Sequence, residues 1–240
     1  MKPHNIVTKD EWIKKRKELL GKEKQLTKLK DELTLERKNL PWYQMKEDYL
    51  FEDEHGKVKF RDLFNNCRQL IMYHLRYHFS WKYPSKECAF FAEHFNGVSN
   101  HLRSRDTSFV AVSNVDINKI TAFSRRMSWN FKWVSSLGSD FNYDLNLSRS
   151  EKMGFDPISY NFDNNLCYGD EVFGISIYFM DEKSNIFCTY ATFARGVEVV
   201  NTTYNLLDLT PLGRDEEQLA YPLAWLNFKD LYSFCKKNVK

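Results

Sequence analysis

No apolar run in this 240-residue chain approaches the ~18 residues that a membrane-crossing helix needs, so no membrane partner is expected. The opening, "MKPHNIVTKDEW", lacks the apolar centre of a signal peptide, which argues against export and for a cytoplasmic protein. Cysteine is sparse: Cys67, Cys88, Cys167, Cys188 and Cys235 are scattered, odd in number and never spaced Cys-x-x-Cys. That argues against a disulfide framework or a zinc site and suits a reducing compartment. There is no Gly-rich phosphate loop, no Gly-x-Ser-x-Gly elbow and no nucleotide fingerprint, so no cofactor is expected. His74 and His78 have metal-ligand spacing for a helix. They lie instead where a strand runs into a loop, with no visible third ligand, so structural roles are expected and no metal.

What is present begins with a charge asymmetry. The net charge of +3 combines 35 Lys and Arg with 32 Asp and Glu. Residues 9 to 38 hold eleven of the former and seven of the latter, a balance of +4, which leaves about −1 for the rest. This basic segment reads as a long helix, opened by the capping-box pattern Thr8-x-x-Glu11 and stopped by Pro41. Trp12, Leu19, Leu26, Leu33 and Leu40 recur every seven residues, but Lys15 and Lys22 stand where a second apolar seam belongs. Gly21 weakens the middle, so two shorter helices are an alternative. The stripe predicts packing on the chain's own domain or on that of a dimer mate, not a free coiled coil. The basic run "KKRK" lacks any aromatic or Gly-rich recognition element, so nucleic acid is not an expected partner. The division read here is an N-terminal helical extension over 1–40 and a single domain over 41–240.

From Asp48 onward the punctuation is that of an α/β domain. A hairpin is expected to turn at His55-Gly56, followed by a short helical turn. The continuous apolar run "RQLIMYHL" (68–75) predicts a buried parallel strand. Further strands are expected over 107–114, 131–136, 173–180 and 186–193, the last two joined by the charged turn "DEKSN". Helices are expected over 88–103, 116–127 (capped by Asp116) and 197–209. The Asn- and Asp-rich stretch from 140 to 170 reads mostly as loop. The order β-α-β-α-β-β-β-α fits a thioredoxin-like layer architecture with an extra strand.

Six stretches carry a family resemblance: "LPWYQMKEDYLFEDEHG" (40–56), "CAFFAEHFNG" (88–97), "RDTSFVAVS" (105–113), "FKWVSSLGSDFNYD" (131–144), "FCTYATFARG" (187–196) and "LDLTPLGRDE" (207–216). With the N-terminal helix they span nearly the whole chain, and it resembles the bacterial thioredoxin-like family called domain of unknown function eight-ninety-nine. The resemblance implies a peroxiredoxin-type thioredoxin-like fold: a central mixed sheet flanked by helices, preceded by the long N-terminal helix. It implies no established substrate. Family members often carry Cys-x-x-Cys at a helix start, where this chain reads Ser85-Lys86-Glu87-Cys88. Such folds also place a proline before the strand facing the thiols, where this chain has Glu171-Val172-Phe173-Gly174.

These residues define the candidate site. Ser85 caps a helix as well as cysteine does, but its hydroxyl neither ionises nor exchanges disulfides. Cys88 falls in the first turn, in register with Phe91, Phe95, Val98 and Leu102, the expected buried face. A thiol there matches the recessed member of a redox pair, and Glu87 opposes its ionisation. Ligands of open α/β sheets bind beyond the carboxyl ends of the strands, which brings in Trp81 and then Ser135, Asp140 and Tyr143. If Met180 pairs with Ile186, Glu171 faces Arg195, and Arg195 stands beside Phe173 on the site side, able to lower a thiol pKa or hold an anion. Cys188 then opposes Tyr178, too far from Cys88 for a bridge. Two functions remain: a thioredoxin-like protein with a degenerate redox site that works as a weak single-thiol oxidoreductase or peroxidase through Cys88, on a small-molecule or protein thiol or disulfide; or a non-catalytic binding module with a pocket of Ser85, Cys88, Tyr143 and Arg195, assembling through the N-terminal helix.

Overall fold

The computed structural model describes residues 4–46, 48–149, 156–162 and 165–233, so Cys235 lies outside the described residues. The chain divides into two compact units, with the boundary between Trp42 and Tyr43. The first is helix α1, Lys9–Lys38, which runs unbroken through Gly21. The capping box forms: the Thr8 amide donates to Glu11 Oε2 at 3.0 Å and the Glu11 amide to Thr8 Oγ at 3.3 Å. Asp10 and Glu11 lie in its first turn and Arg37 and Lys38 in its last, each sign facing the favourable end of the helix dipole. No residue of α1 is buried.

In the second unit the strands are β1 (Tyr43–Gln44), β2 (Leu50–Asp53), β3 (Gly56–Lys59), β4 (Gln69–His74), β5 (Thr107–Ser113), β6 (Lys132–Ser135), β9 (Gly174–Met180) and β10 (Ile186–Phe193). They form one eight-stranded sheet in the order β1-β10-β9-β4-β5-β6-β2-β3. A separate two-stranded sheet joins β7 (Ile158–Tyr160) and β8 (Asn165–Cys167). The helices are α2 (Lys86–Ala92), α3 (Ser99–Arg103), α4 (Ile117–Met127), α5 (Phe141–Asp144) and α6 (Thr202–Leu207). Strands β4, β5 and β6 run parallel, and β9 pairs with β4 antiparallel. This mixed sheet, with right-handed β-α-β crossovers as the expected connection, is the thioredoxin-like architecture.

Alternation along the strands divides the core between the two faces of the sheet. Tyr73, Leu75, Phe109, Ala111 and Trp133 face α2 and α4, which contribute Cys88, Phe91, Ile120, Phe123 and Met127. Leu70, Met72, Val110, Val112, Val134 and Tyr178 face the other way, toward a 3-10 turn over Phe60–Phe64 and toward Phe141 of α5. Each large side chain so enclosed is worth roughly 1.5–3 kcal/mol of hydrophobic stabilisation. The helix expected over 88–103 is broken: α2 passes into a 3-10 turn over Glu93–Phe95 and stops before Gly97, whose φ of +96° belongs to no helix. The expected 197–209 helix likewise divides into a 3-10 stretch, Ala194–Val200, and α6. The first hairpin pairs Asp53 with Gly56, so its turn is Glu54-His55, one residue before the expected place. The β7–β8 hairpin and α5 occupy part of the stretch read as loop.

Candidate functional site

Helix α2 starts at the end of β4. The Ser85 amide donates to the carbonyl of Arg76 at 3.0 Å, which pins the helix start beside the strand. Ser85 is the N-cap: its backbone is extended, and its Oγ accepts from the Cys88 amide at 3.2 Å. Its hydroxyl in turn donates to Glu87 Oε2 at 2.5 Å, so the serine is fully engaged as a cap. Cys88 is 1% exposed and packs with Tyr73, Phe91 and Phe95 on the helical face of the sheet. The Tyr73 hydroxyl donates to the Cys88 carbonyl at 3.1 Å. Burial pushes the Cys88 thiol up, and the Arg76 guanidinium, the Arg76 amide, the Ser85 hydroxyl and Tyr73 pull it back by less.

The structure brings only some of the sequence-derived residues to this point. Phe173 lies 6.1 Å from Phe91, ring to ring, and Trp81 is half-buried with its ring centroid 5.7 Å from the Arg76 guanidinium carbon. Ser135 is buried and spends its hydroxyl on the Val115 carbonyl at 2.6 Å. Asp140 is exposed and precedes α5 without a side-chain cap. Tyr143 meets Asn114, whose Nδ2 donates to its hydroxyl at 3.4 Å.

Arg195 departs from expectation. Met180 does pair with Ile186 and Cys188 with Tyr178, but the register shifts between Cys188 and Tyr190, and the ladder ends with Gly174 opposite Phe193. A bulge inserts one residue and turns the strand away from a straight extrapolation. Arg195 is therefore not opposite Glu171. Its side chain is 86% exposed and pairs with Glu198 at 2.9 Å. The pocket of Ser85, Cys88, Tyr143 and Arg195 is not assembled: among the described residues, Arg195 and Tyr143 find their partners elsewhere. Cys188 belongs to the core on the face opposite Cys88, so the sheet itself separates the two thiols.

Two groups outside the candidate site residues lie at this edge of the sheet. One is Arg76, two residues past β4, which holds the place beside Cys88 that Arg195 was expected to fill. The other is Glu171, 2% exposed. Ser148 donates to its Oε2 at 2.7 Å and Asn114 to its Oε1 at 3.3 Å. Asn142 donates to Ser148 at 3.0 Å, and Ser136 to Asn142 Oδ1 at 2.9 Å. Burial raises the Glu171 pKa to about 8, against the lowering pull of Ser148, Asn114 and Asn142, with Asp170 raising it further. The signal for Arg76 was a charge directly after an apolar strand at its carboxyl end. Glu171 was expected only as the residue facing Arg195; its partners Asn114, Asn142 of α5 and Ser148 reach it from distant stretches of the chain. His74 is buried and bonds through Nε2 to Ser176 Oγ at 2.6 Å, while His78 bonds to Ser80 at 2.7 Å. Among the described residues no group of three His, Cys, Asp or Glu is placed to hold a metal, and no helix is long and apolar enough to cross a membrane. A surface groove runs between the Glu54-His55 turn and α4, and none of the sequence-derived site residues lines it.

A family model described as bacterial protein of unknown function (DUF899) matches residues 1–232. No curated protein matches. Among solved structures, PrxQ of Xylella fastidiosa is similar at 9% identity and a TM-score of 0.45, covering 68% of this chain and 94% of that one. Peroxidoxin BcpB from Mycobacterium tuberculosis is similar at 10% identity and a TM-score of 0.44, covering 67% of this chain and 92% of that one. At these identities nothing of their chemistry transfers.

Proposed function

Given that this chain belongs to the bacterial family of unknown function DUF899, we propose that it is a thioredoxin-like protein with a degenerate redox site, acting as a binding module in place of a dithiol enzyme. The observation that carries this reading is the enclosure of Cys88. A dithiol cycle needs an exposed attacking thiolate. Here the attacker's slot holds Ser85, and the remaining thiol is 1% exposed with its pKa raised by burial. Nothing at this position presents a nucleophile to solvent at neutral pH. The proposed setting is cytoplasmic, where reduced thiols persist.

A second reading rests on one specific observation. Arg76, Ser85 and Tyr73 all pull the Cys88 pKa down. An opening of the wall above Cys88 would leave a thiol beside a guanidinium, the environment of a slow single-thiol reductase acting on a small-molecule or protein disulfide or a peroxide. One experiment separates the two. Wild type and Cys88→Ser are compared for alkylation by iodoacetamide across pH, and for consumption of hydrogen peroxide and a small disulfide. The binding-module reading expects Cys88 alkylation to be slow at neutral pH and consumption to be the same in both proteins. Fast alkylation with a thiol pKa below ~8.5, and consumption that vanishes in Cys88→Ser, would establish the single-thiol enzyme.

A further inference from the structure

Strand β2 pairs with β6 at a single position, Glu52 with Ser135, so the tip of the β2–β3 hairpin does not join the ladder of β6. Between this tip and α4 lie two adjoining hollows of about 470 and 530 Å³. They share Asp53, Glu54, Ile117, Thr121 and Arg125, and each has room for one small molecule. Ile117, Ile120, Phe131 and Trp133 give the first an apolar lining. The titratable side chains around the two are Glu52, Asp53, Glu54, His55, Arg125 and Lys132. Most of this charge is already matched: Glu52 meets Lys57 at 2.9 Å and Asp53 meets Lys132 at 2.8 Å. One group of each sign is left, one on the hairpin and one on the helix. Among the described residues Glu54 has only His55, at 3.6 Å, which is charged only when protonated. Arg125, exposed in the last turn of α4, has no ion pair among them, although its neighbour Arg126 meets Asp230 at 2.7 Å. Glu54 and Arg125 line the same hollows and do not reach each other.

We propose that this groove binds a small zwitterion with an apolar body, of the class of an aromatic or branched α-amino acid, with Arg125 taking its carboxylate and Glu54 its ammonium group. The guanidinium fork offers parallel donors to two carboxylate oxygens, and the Glu54 carboxylate accepts from the ammonium. A ligand of one charge matches one wall only. An anion on Arg125 would face Glu54, and a cation on Glu54 would face Arg125. The apolar lining receives the side chain. Both charged groups stand in water, so the affinity expected is on the order of 1 mM. Neither Ser85 nor Cys88 lines the groove, so the proposal is independent of the thiol and of the reading given to it above.

The test uses the full chain labelled with 15N and titrated with L-phenylalanine, 3-phenylpropionate or phenethylamine. The last two keep the apolar body and each removes one charge. The backbone amides of Glu54, His55, Thr121 and Arg125 are expected to shift saturably with phenylalanine, and each one-charge analogue to bind about threefold to fivefold more weakly, the range for one exposed ion pair. Arg125→Gln and Glu54→Gln change exposed side chains. Each is expected to weaken phenylalanine by a similar factor. Arg125→Gln should also abolish the preference for phenylalanine over phenethylamine, and Glu54→Gln the preference over phenylpropionate. That exchange of preferences reads which charge each residue meets. The wild-type titration alone can overturn the proposal, by showing no saturable shift at these amides up to about 50 mM phenylalanine, well above the affinity expected. Equal binding of either analogue by the wild type, or unchanged preferences in the two variants, would overturn it as well.

Discussion

Ser85 and a cysteine at that position differ little in volume and entirely in redox chemistry. The Ser85 Oγ sits one helical turn from Cys88 and caps its amide at 3.2 Å, so Ser85→Cys would recreate Cys-x-x-Cys on unchanged backbone. The substitution loses a cap hydrogen bond and should cost about 1 kcal/mol. The expected outcome is a disulfide to Cys88 under mild oxidation, seen by mass spectrometry, and a disulfide-reductase activity above wild type. The activity should stay modest, because Glu171-Val172-Phe173-Gly174 has no proline to present an extended substrate. A Ser85→Cys protein whose introduced thiol forms no disulfide with Cys88 would show that the helix start does not have this geometry. At this scale the sequence was informative where a local rule applies: Ser85 as cap and Cys88 as a buried thiol follow from helix spacing alone. The surroundings of Arg76 and Glu171 were not legible. Arg76 was marked only as a charge after an apolar strand, and the Asn114, Asn142 and Ser148 side chains around Glu171 come from distant stretches of the chain, which nearby sequence does not report.

Elements were legible to the degree that their signals are local. Strands β4, β5, β9 and β10 announce themselves by apolar runs, and the β9–β10 turn by "DEKSN". The bulge between Cys188 and Tyr190 leaves no such mark; together with the end of β10 at Phe193, where the 3-10 stretch Ala194–Val200 begins, it displaced Arg195 from the site. The two-residue strand β1 is held by its pairing with Phe187 and Cys188, a long-range cause that no propensity reports. Helix α1 is the opposite case, since its capping box, seven-residue leucine spacing and charge distribution are all in the sequence. Its local bonds include Lys15–Glu18 at 3.0 Å and Arg16–Glu23 at 2.8 Å. Such exposed pairs contribute only a few tenths of a kcal/mol each. With Lys15 and Lys22 breaking the second seam, a peptide of residues 1–42 should be partly helical in the cold and monomeric at micromolar concentration. Circular dichroism and sedimentation equilibrium check this. Strong helicity that rises with concentration would mean that the leucine stripe closes on a second copy.

Across the whole molecule, two buried titratable groups shape stability in opposite directions. Glu171 is held protonated, its pKa raised from 4.5 to about 8 chiefly by burial, with Asp170 adding to the rise. Its contribution is fully present below pH 4.5 and is lost as pH rises to about 8. The loss amounts to at most ~5 kcal/mol, at ~1.4 kcal/mol per pKa unit over the interval from 4.5 to about 8. His74 is held neutral, its pKa lowered by burial from 6.5 to about 3. Its contribution is present above pH 6.5 and is lost as pH falls toward 3. Between pH 4.5 and 6.5 the two slopes oppose each other with equal proton count, so stability should be flat there. Above that window Glu171 acts alone and stability falls toward pH 8. Below it His74 acts together with carboxylates such as Asp144, held low by Lys46 and Tyr49, and stability falls toward pH 3. Urea unfolding at half-unit steps from pH 4 to 9 should trace this plateau. Glu171→Gln keeps the size and stays neutral, so it should match wild type below pH 4.5, remove the alkaline decline and replace the plateau with a rise that continues to pH 6.5, where His74 acts unopposed. A wild-type profile still rising from pH 6.5 to 8, or a Glu171→Gln profile that declines as the wild type does, would mean that Glu171 is ionised within its ring of Ser148, Asn114 and Asn142.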